Sequence, residues 1–129
     1  MYNEGTEEKN MAKIIVADDA IFMRATIKKM LETNGHTVVG EASDGAETIE
    51  KFTELKPDLI VLDITMPGMN GIEALKRIRA LDSKVKIIIC SAIGQQEVIA
   101  QAIQCGAEEF IIKPFKEEQL LAAIEKVMK

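Results

Sequence analysis

The sequence predicts an α/β protein with a doubly wound, five-stranded parallel sheet and helices on both faces. Short apolar runs rich in β-branched residues alternate with longer amphipathic stretches along the whole chain. The apolar runs are nearly continuous, which is typical of strands that are covered on both faces. Successive strand–helix units joined by short loops require right-handed crossovers, and these place helices on both sides of a parallel sheet.

The boundaries of the elements follow from the apolar pattern and from the residues that start and end helices. The strands are predicted at residues 13–17, 37–42, 59–63, 86–91 and 109–112. The helices are predicted at residues 21–34, 45–55, 72–81, 95–105 and 116–128. Asp44 is placed to cap the second helix, and Pro57 ends it before the third strand. Gly106 is placed to close the fourth helix in a left-handed conformation.

Composition fits one globular domain. The 129 residues include 47% hydrophobic and 29% charged side chains. We expect residues 12–129 to form the domain and residues 1–11 to be a flexible polar leader. The net charge of −5 disfavours nucleic acid as the main partner. No apolar run approaches the roughly 20 residues that span a bilayer, so we expect no membrane partner.

Neither the cysteines nor the histidine forms a recognisable motif. Cys90 and Cys105 lack the spacing of a metal or redox site, and we expect them to be reduced, buried thiols of a cytoplasmic protein. His36, the single histidine, follows Gly35 in a loop and is predicted to lie on the surface.

Polar side chains stand at the ends of four predicted strands. Asp18 and Asp19 follow the first strand, Asp63 ends the third, Ser91 ends the fourth and Lys113 follows the fifth. Because ligands of open parallel sheets bind at the carboxyl ends of the strands, we expect these side chains to form one site.

The chemistry of these side chains favours a cation and a phosphate group. Asp19 alone would be an ordinary helix cap and Asp63 alone an ordinary strand end, but gathered carboxylates repel one another unless a cation joins them. Mg²⁺ suits hard oxygen ligands with room for water. Lys113 could neutralise a phosphate as a point charge. Ser91 could donate a hydrogen bond to a phosphoryl oxygen, or it could cap the fourth helix.

Taken together, these motifs resemble the signature of two-component response-regulator receiver domains. The resemblance rests on Asp18-Asp19, residues 63–71, Ser91-Ala92 and residues 113–115, and it covers residues 13–129. It implies a flavodoxin-like sheet with the strand order 2-1-3-4-5. The stretches at residues 19–24 and 90–96 are similar to receivers that act in chemotaxis.

The resemblance also implies a role for each site residue. Asp63 would be the phosphoacceptor, and Asp18, Asp19, Asp63 and the backbone carbonyl of Thr65 would bind Mg²⁺. Ser91 and Lys113 would contact the phosphoryl oxygens, and Phe110 would be the switch aromatic. Many relatives carry Tyr at that position, so Phe110 could also be an ordinary core residue.

The implied function is a single-domain response regulator that controls the flagellar motor in chemotaxis. Its partners would be a CheA-like sensor histidine kinase and a flagellar motor switch protein or adaptor, and the protein would act as a monomer. A phosphorelay intermediate is the alternative within the family.

Two alternatives come from other classes of protein. A haloacid-dehalogenase-type phosphatase would need a second Asp where Thr65 stands. A flavodoxin-like electron carrier would need a first loop rich in Ser, Thr and Gly rather than Asp18-Asp19.

Overall fold

The parallel sheet has five strands in the order β2-β1-β3-β4-β5, as predicted. The computed structural model describes residues 11–66 and 68–129. The strands are β1 (Lys13–Ala17), β2 (Thr37–Ala42), β3 (Leu59–Asp63), β4 (Lys86–Ala92) and β5 (Glu109–Lys113). The helices are α1 (Ile21–Thr33), α2 (Gly45–Leu55), α3 (Gly71–Leu81), α4 (Gln96–Gln104) and α5 (Glu117–Met128).

The sheet is buried on both faces, which explains the continuous apolar runs. In β1, Ile15 and Ala17 pack into the core on the side of α2, α3 and α4. Ile14 and Val16 alternate with them and pack on the side of α1 and α5. Neighbouring β-strand residues point to opposite faces, so a strand covered on both sides needs apolar residues at successive positions.

β4 and β5 extend further than predicted. Ser91 pairs with Ile112 and Ala92 pairs with Lys113, so the ladder continues to the last residue of each strand. Lys113 therefore belongs to the sheet instead of following it, and it is followed by a cis Lys113-Pro114 peptide bond. The pairing holds Ser91 and Lys113 on two neighbouring strands.

The caps predicted at Asp44 and Gly106 are confirmed, although α4 ends at Gln104 and not at residue 105. The Asp44 carboxylate accepts the backbone N–H of Glu47 at 2.8 Å at the start of α2. Gly106 has a φ of 111° just beyond α4, a backbone conformation that residues other than glycine rarely adopt.

His36 lies in the loop before β2, as predicted, but it is only partly exposed. Its Nδ1 accepts the backbone N–H of Ala12 at 3.2 Å. Burial lowers the pKa of His36 below its ordinary value. The neutral imidazole thus helps to fasten the start of β1.

The predicted leader at residues 1–11 lies outside the described residues except for Met11, which is exposed. None of the described helices combines the length and apolar character that a membrane span requires.

Candidate functional site

Three carboxylates meet at the carboxyl edge of the sheet. Asp18 follows β1 and Asp63 ends the neighbouring β3, while Asp19 lies on the loop that leads into α1. One oxygen from each carboxylate lies within 4.8 Å of the other two. Asp18 and Asp63 are buried and Asp19 is exposed, so the cluster is open to solvent on one side. The predicted convergence of the three acids is confirmed.

The Lys113 side chain reaches from β5 past β4 to Asp63, which ends β3, and on to Asp18, which follows β1. Its Nζ lies 2.6 Å from Oδ2 of Asp18 and 3.4 Å from Oδ2 of Asp63. Burial lowers the pKa of Lys113, but the hydrogen bond to Asp18 and the charges of Asp63 and Asp18 outweigh that effect and raise the pKa overall. Lys113 therefore carries a positive charge beside both buried carboxylates.

Burial controls the protonation of Asp63. Burial raises the pKa of Asp63, and the charge of Asp18 adds to this effect. Lys113 and the Thr65 backbone N–H oppose it, and the resulting pKa is about 6. The Thr65 N–H donates to Oδ1 of Asp63 at 3.0 Å. Because Oδ2 faces Lys113, each oxygen of the Asp63 carboxylate has one defined neighbour.

Asp18 is held by its own loop. Its Oδ1 accepts the backbone N–H of Ala20 at 2.9 Å. Arg24, on the first turns of α1, donates from Nη1 to the Asp18 carbonyl at 2.6 Å and forms an ion pair with Glu41 at 3.3 Å. Sequence reasoning did not assign a role to Arg24, since its contact depends on how α1 packs beside β2.

Ser91 is buried and donates its hydroxyl to Oε1 of Gln95 at 2.7 Å. Gln95 is the residue that precedes α4, and among the residues that the structure describes no side chain caps this helix end. The alternative in which Ser91 caps the helix is therefore wrong. Gln95 itself was missed by sequence analysis; the only signal was a second polar side chain one helical turn after Ser91.

Phe110 is 39% exposed and is not a core residue, so that alternative is also wrong. It lies on β5 together with Ile112, which is 38% exposed, while the intervening Ile111 is buried. On α4, Ile103 is 42% exposed. These three side chains present apolar surface on the part of the protein formed by α4 and β5.

A close backbone approach fixes the loop after Asp63. Gly71, the first residue of α3, donates its N–H to the Ile64 carbonyl at 2.8 Å. A Cβ atom on Gly71 would collide with the Asp63 carbonyl oxygen and lie 2.6 Å from the Ile64 Cα. The glycine thus allows the loop, whose Pro67 lies outside the described residues, to return tightly against the site.

The donor set fits a small divalent cation. Carboxylate oxygens are the ligands that Mg²⁺ prefers, and the exposed side at Asp19 leaves space for the waters that Mg²⁺ retains. Two buried acids beside one lysine also leave excess negative charge, which a cation would compensate.

Comparison with known proteins agrees with this geometry. The family model described as response regulator receiver domain matches residues 14–125. The chain belongs to the response regulator receiver family. This receiver domain is 48% identical over 117 residues to the chemotaxis protein CheY of Thermotoga maritima, covering 91% of this chain and 98% of the relative. It is 51% identical over 116 residues to the chemotaxis protein CheY of Bacillus subtilis, covering 90% and 97%.

Solved structures show the same fold. The receiver domain superposes on the response regulator domain of Thermotoga maritima CheB with a TM-score of 0.84 and 36% identity, covering 92% of this chain and 96% of that one. It superposes on a chain of the CheX-CheY-BeF3-Mg²⁺ complex from Borrelia burgdorferi with a TM-score of 0.87 and 28% identity, covering 91% and 89%. The chain is therefore a CheY-type receiver domain, a signalling protein of two-component systems.

Proposed function

We propose that this receiver is a single-domain chemotaxis response regulator that accepts a phosphoryl group on Asp63 from a sensor histidine kinase. The observation that carries the proposal is the meeting of Asp18, Asp19 and Asp63 with the Lys113 ammonium at one sheet edge. Matches to chemotaxis proteins CheY over nearly their whole length support the chemotaxis role. The free cysteines Cys90 and Cys105 support a cytoplasmic location.

Asp63 acts as the nucleophile. Its carboxylate oxygen forms a bond to phosphorus while the bond from phosphorus to the kinase histidine nitrogen breaks, and the departing imidazole takes a proton from water. With a pKa of about 6, Asp63 is mostly ionised at neutral pH and can attack. The product carries up to about two negative charges.

Asp18, Asp19, Asp63 and the backbone carbonyl of Thr65 would hold Mg²⁺. The ion would compensate the charge that spreads over the phosphoryl oxygens during transfer. Lys113, which already faces Oδ2 of Asp63, would contact one of these oxygens. The Borrelia burgdorferi complex contains CheY with BeF3 and Mg²⁺, and this supports the assignment of the metal.

Phosphorylation would change the surface formed by α4, β5 and α5. Ser91 would donate to a phosphoryl oxygen, and Phe110 would turn inward from its present half-exposed position. Such a change biases an equilibrium between two states that exist beforehand. The altered surface would bind a flagellar motor switch protein or an adaptor.

Incubation with acetyl phosphate and Mg²⁺ tests the phosphoacceptor. We expect one phosphoryl group per chain, detected by mass spectrometry of the intact protein and removed by hydroxylamine. Asp63→Asn should abolish the label. Asp58→Asn is the matched control, because Asp58 precedes the same strand at its other end and its contact with the Lys13 N–H needs only an acceptor oxygen. Equal labelling of Asp63→Asn and the wild type would refute the assignment.

A further inference from the structure

Gln95 joins the end of β4 to the loop after β3. Its Oε1 accepts the Ser91 hydroxyl at 2.7 Å and the Ala92 backbone N–H at 2.8 Å. Its Nε2 donates to the Thr65 hydroxyl at 3.1 Å. The Thr65 N–H in turn donates to Asp63. The Gln95 amide therefore contacts Ser91 directly and is linked to Asp63 through Thr65.

The chemistry of the contacts determines how the Gln95 amide is oriented. The Ala92 N–H can only donate, so the amide atom facing it must be the carbonyl oxygen. The same oxygen faces Ser91, so the hydroxyl must donate its proton to Gln95 there. The amide nitrogen then faces the Thr65 oxygen, which accepts. All three contacts agree with a single orientation.

The Ser91 hydroxyl has one proton and faces two acceptors, Oε1 of Gln95 at 2.7 Å and the Ala92 carbonyl at 3.2 Å. The shorter contact directs the proton to Gln95. A phosphoryl oxygen on Asp63 can receive it only after the bond to Gln95 breaks. The hydrogen bond from the Ala92 N–H to Gln95 does not involve the Ser91 proton. It would therefore still hold the Gln95 amide in place after the Ser91 hydroxyl turns away.

We propose that Gln95 is a positioning residue that holds Ser91 in its unphosphorylated orientation and so sets how strongly Asp63 phosphorylation acts on the loop after β4. The inference rests on the proposed function. A contact made only in the resting state shifts the equilibrium away from the activated state, so its loss should favour binding of a phosphoryl mimic. The expected gain is roughly two- to tenfold in affinity, the range of one side-chain hydrogen bond.

Calorimetric titration of beryllofluoride at saturating Mg²⁺ tests this role. The Gln95→Met variant keeps the length and volume of the side chain but removes its hydrogen bonds, and Gln95→Ala serves as a second variant. We expect both to bind beryllofluoride about two- to tenfold more tightly than the wild type. Their affinity for Mg²⁺ alone should not change, because none of the residues that would bind the metal is altered.

Gln96→Met is the matched control. Gln96 is the neighbouring residue of the same type; it is exposed, and no hydrogen bond of its side chain is found within residues 11–66 and 68–129. We expect wild-type affinity from this variant. A second control places Gln95→Met in a Ser91→Ala background, where the gain should disappear because the hydroxyl that Gln95 holds is gone.

The outcomes separate the two hypotheses. Unchanged or weaker beryllofluoride binding by both Gln95 variants would overturn the positioning role, and so would an equal gain in the Ser91→Ala background. A wild-type protein that binds no beryllofluoride and takes no label on Asp63 would overturn the proposed function and this inference with it. A gain that depends on Ser91 supports the inference.

Discussion

The Lys113 ammonium lies 2.6 Å from Oδ2 of Asp18, so a residue of the edge strand β5 is paired with an acid that follows β1, and β4 and β3 lie between these two strands. The Asp18 side chain is 1% exposed and that of Lys113 is 22% exposed, so the pair is largely removed from water. Removing one partner from such a pair leaves the other charge without compensation, and this is costly.

Lys113→Ala should therefore keep the fold and lower the free energy of unfolding by about 1–3 kcal/mol without metal, less than for a fully buried pair. We expect phosphorylation of this variant to leave partner affinity unchanged, because the contact between Lys113 and the phosphoryl group is lost. Urea unfolding in EDTA and a partner-binding assay measure the two effects. Lys84→Ala, at an exposed loop position, is the control. A variant that still responds to phosphorylation would contradict the role of Lys113.

Mg²⁺ should stabilise the wild-type protein. A ligand present at ten times its dissociation constant and bound only by the folded state adds about 1.4 kcal/mol to the free energy of unfolding. Asp18→Asn and Asp63→Asn should lose most of this gain, since each removes a carboxylate from the cluster. Thermal unfolding with and without Mg²⁺ measures it, and Asp58→Asn should respond as the wild type does. Undiminished stabilisation of both cluster variants would place the metal elsewhere.

Gly71→Ala should destabilise the domain by about 1–3 kcal/mol, because the added methyl group overpacks a tight backbone contact. The collision involves the Asp63 carbonyl and Ile64, so phosphorylation from acetyl phosphate should slow as well. Gln96→Ala alters the exposed first residue of another helix, α4, and should leave both quantities unchanged. Urea unfolding and labelling rates provide the comparison, and a fully stable Gly71→Ala protein would show that the loop can move aside.

Stability should depend on pH through His36. The pKa of His36 in the folded protein lies below the ordinary value of 6.5, so its contribution is present above that pH and is lost as the pH falls toward the folded value. The wild type should lose more stability than His36→Asn when the pH is lowered from about 7.5 to about 5.5. The raised pKa of Asp63 changes the stability in the opposite direction over this pH range. Because both proteins contain Asp63, its effect cancels when their stabilities are compared.

Urea unfolding across this pH range checks the prediction for His36. His36→Asn keeps an acceptor for the Ala12 N–H, because the Asn Oδ1 is bonded to Cγ as the histidine Nδ1 is, and it removes the titrating group. Parallel pH profiles for the two proteins would show that protonation of His36 is not linked to folding.

Much of the site could be predicted because it follows from the direction of the strands. Asp18 and Asp63 stand at the carboxyl ends of neighbouring parallel strands, so their side chains must meet once the sheet forms. Ser91 and Lys113 come next along the same edge. The sequence pattern alone predicted the fold class, while the strand order came from resemblance to a family.

Which of these side chains are hydrogen-bonded to one another depends on how the chain packs in three dimensions. Gln95 reaches Thr65 across 30 residues of chain, and Lys113 reaches Asp18 across 95. Such contacts depend on loop closure and side-chain rotamers, which local spacing does not encode. The contact between His36 and Ala12 depends on a segment distant in sequence, and the approach of Gly71 to Asp63 depends on the path of a loop. Strand order and direction bring the acids and Lys113 to one edge, and packing then determines the partner of each side chain.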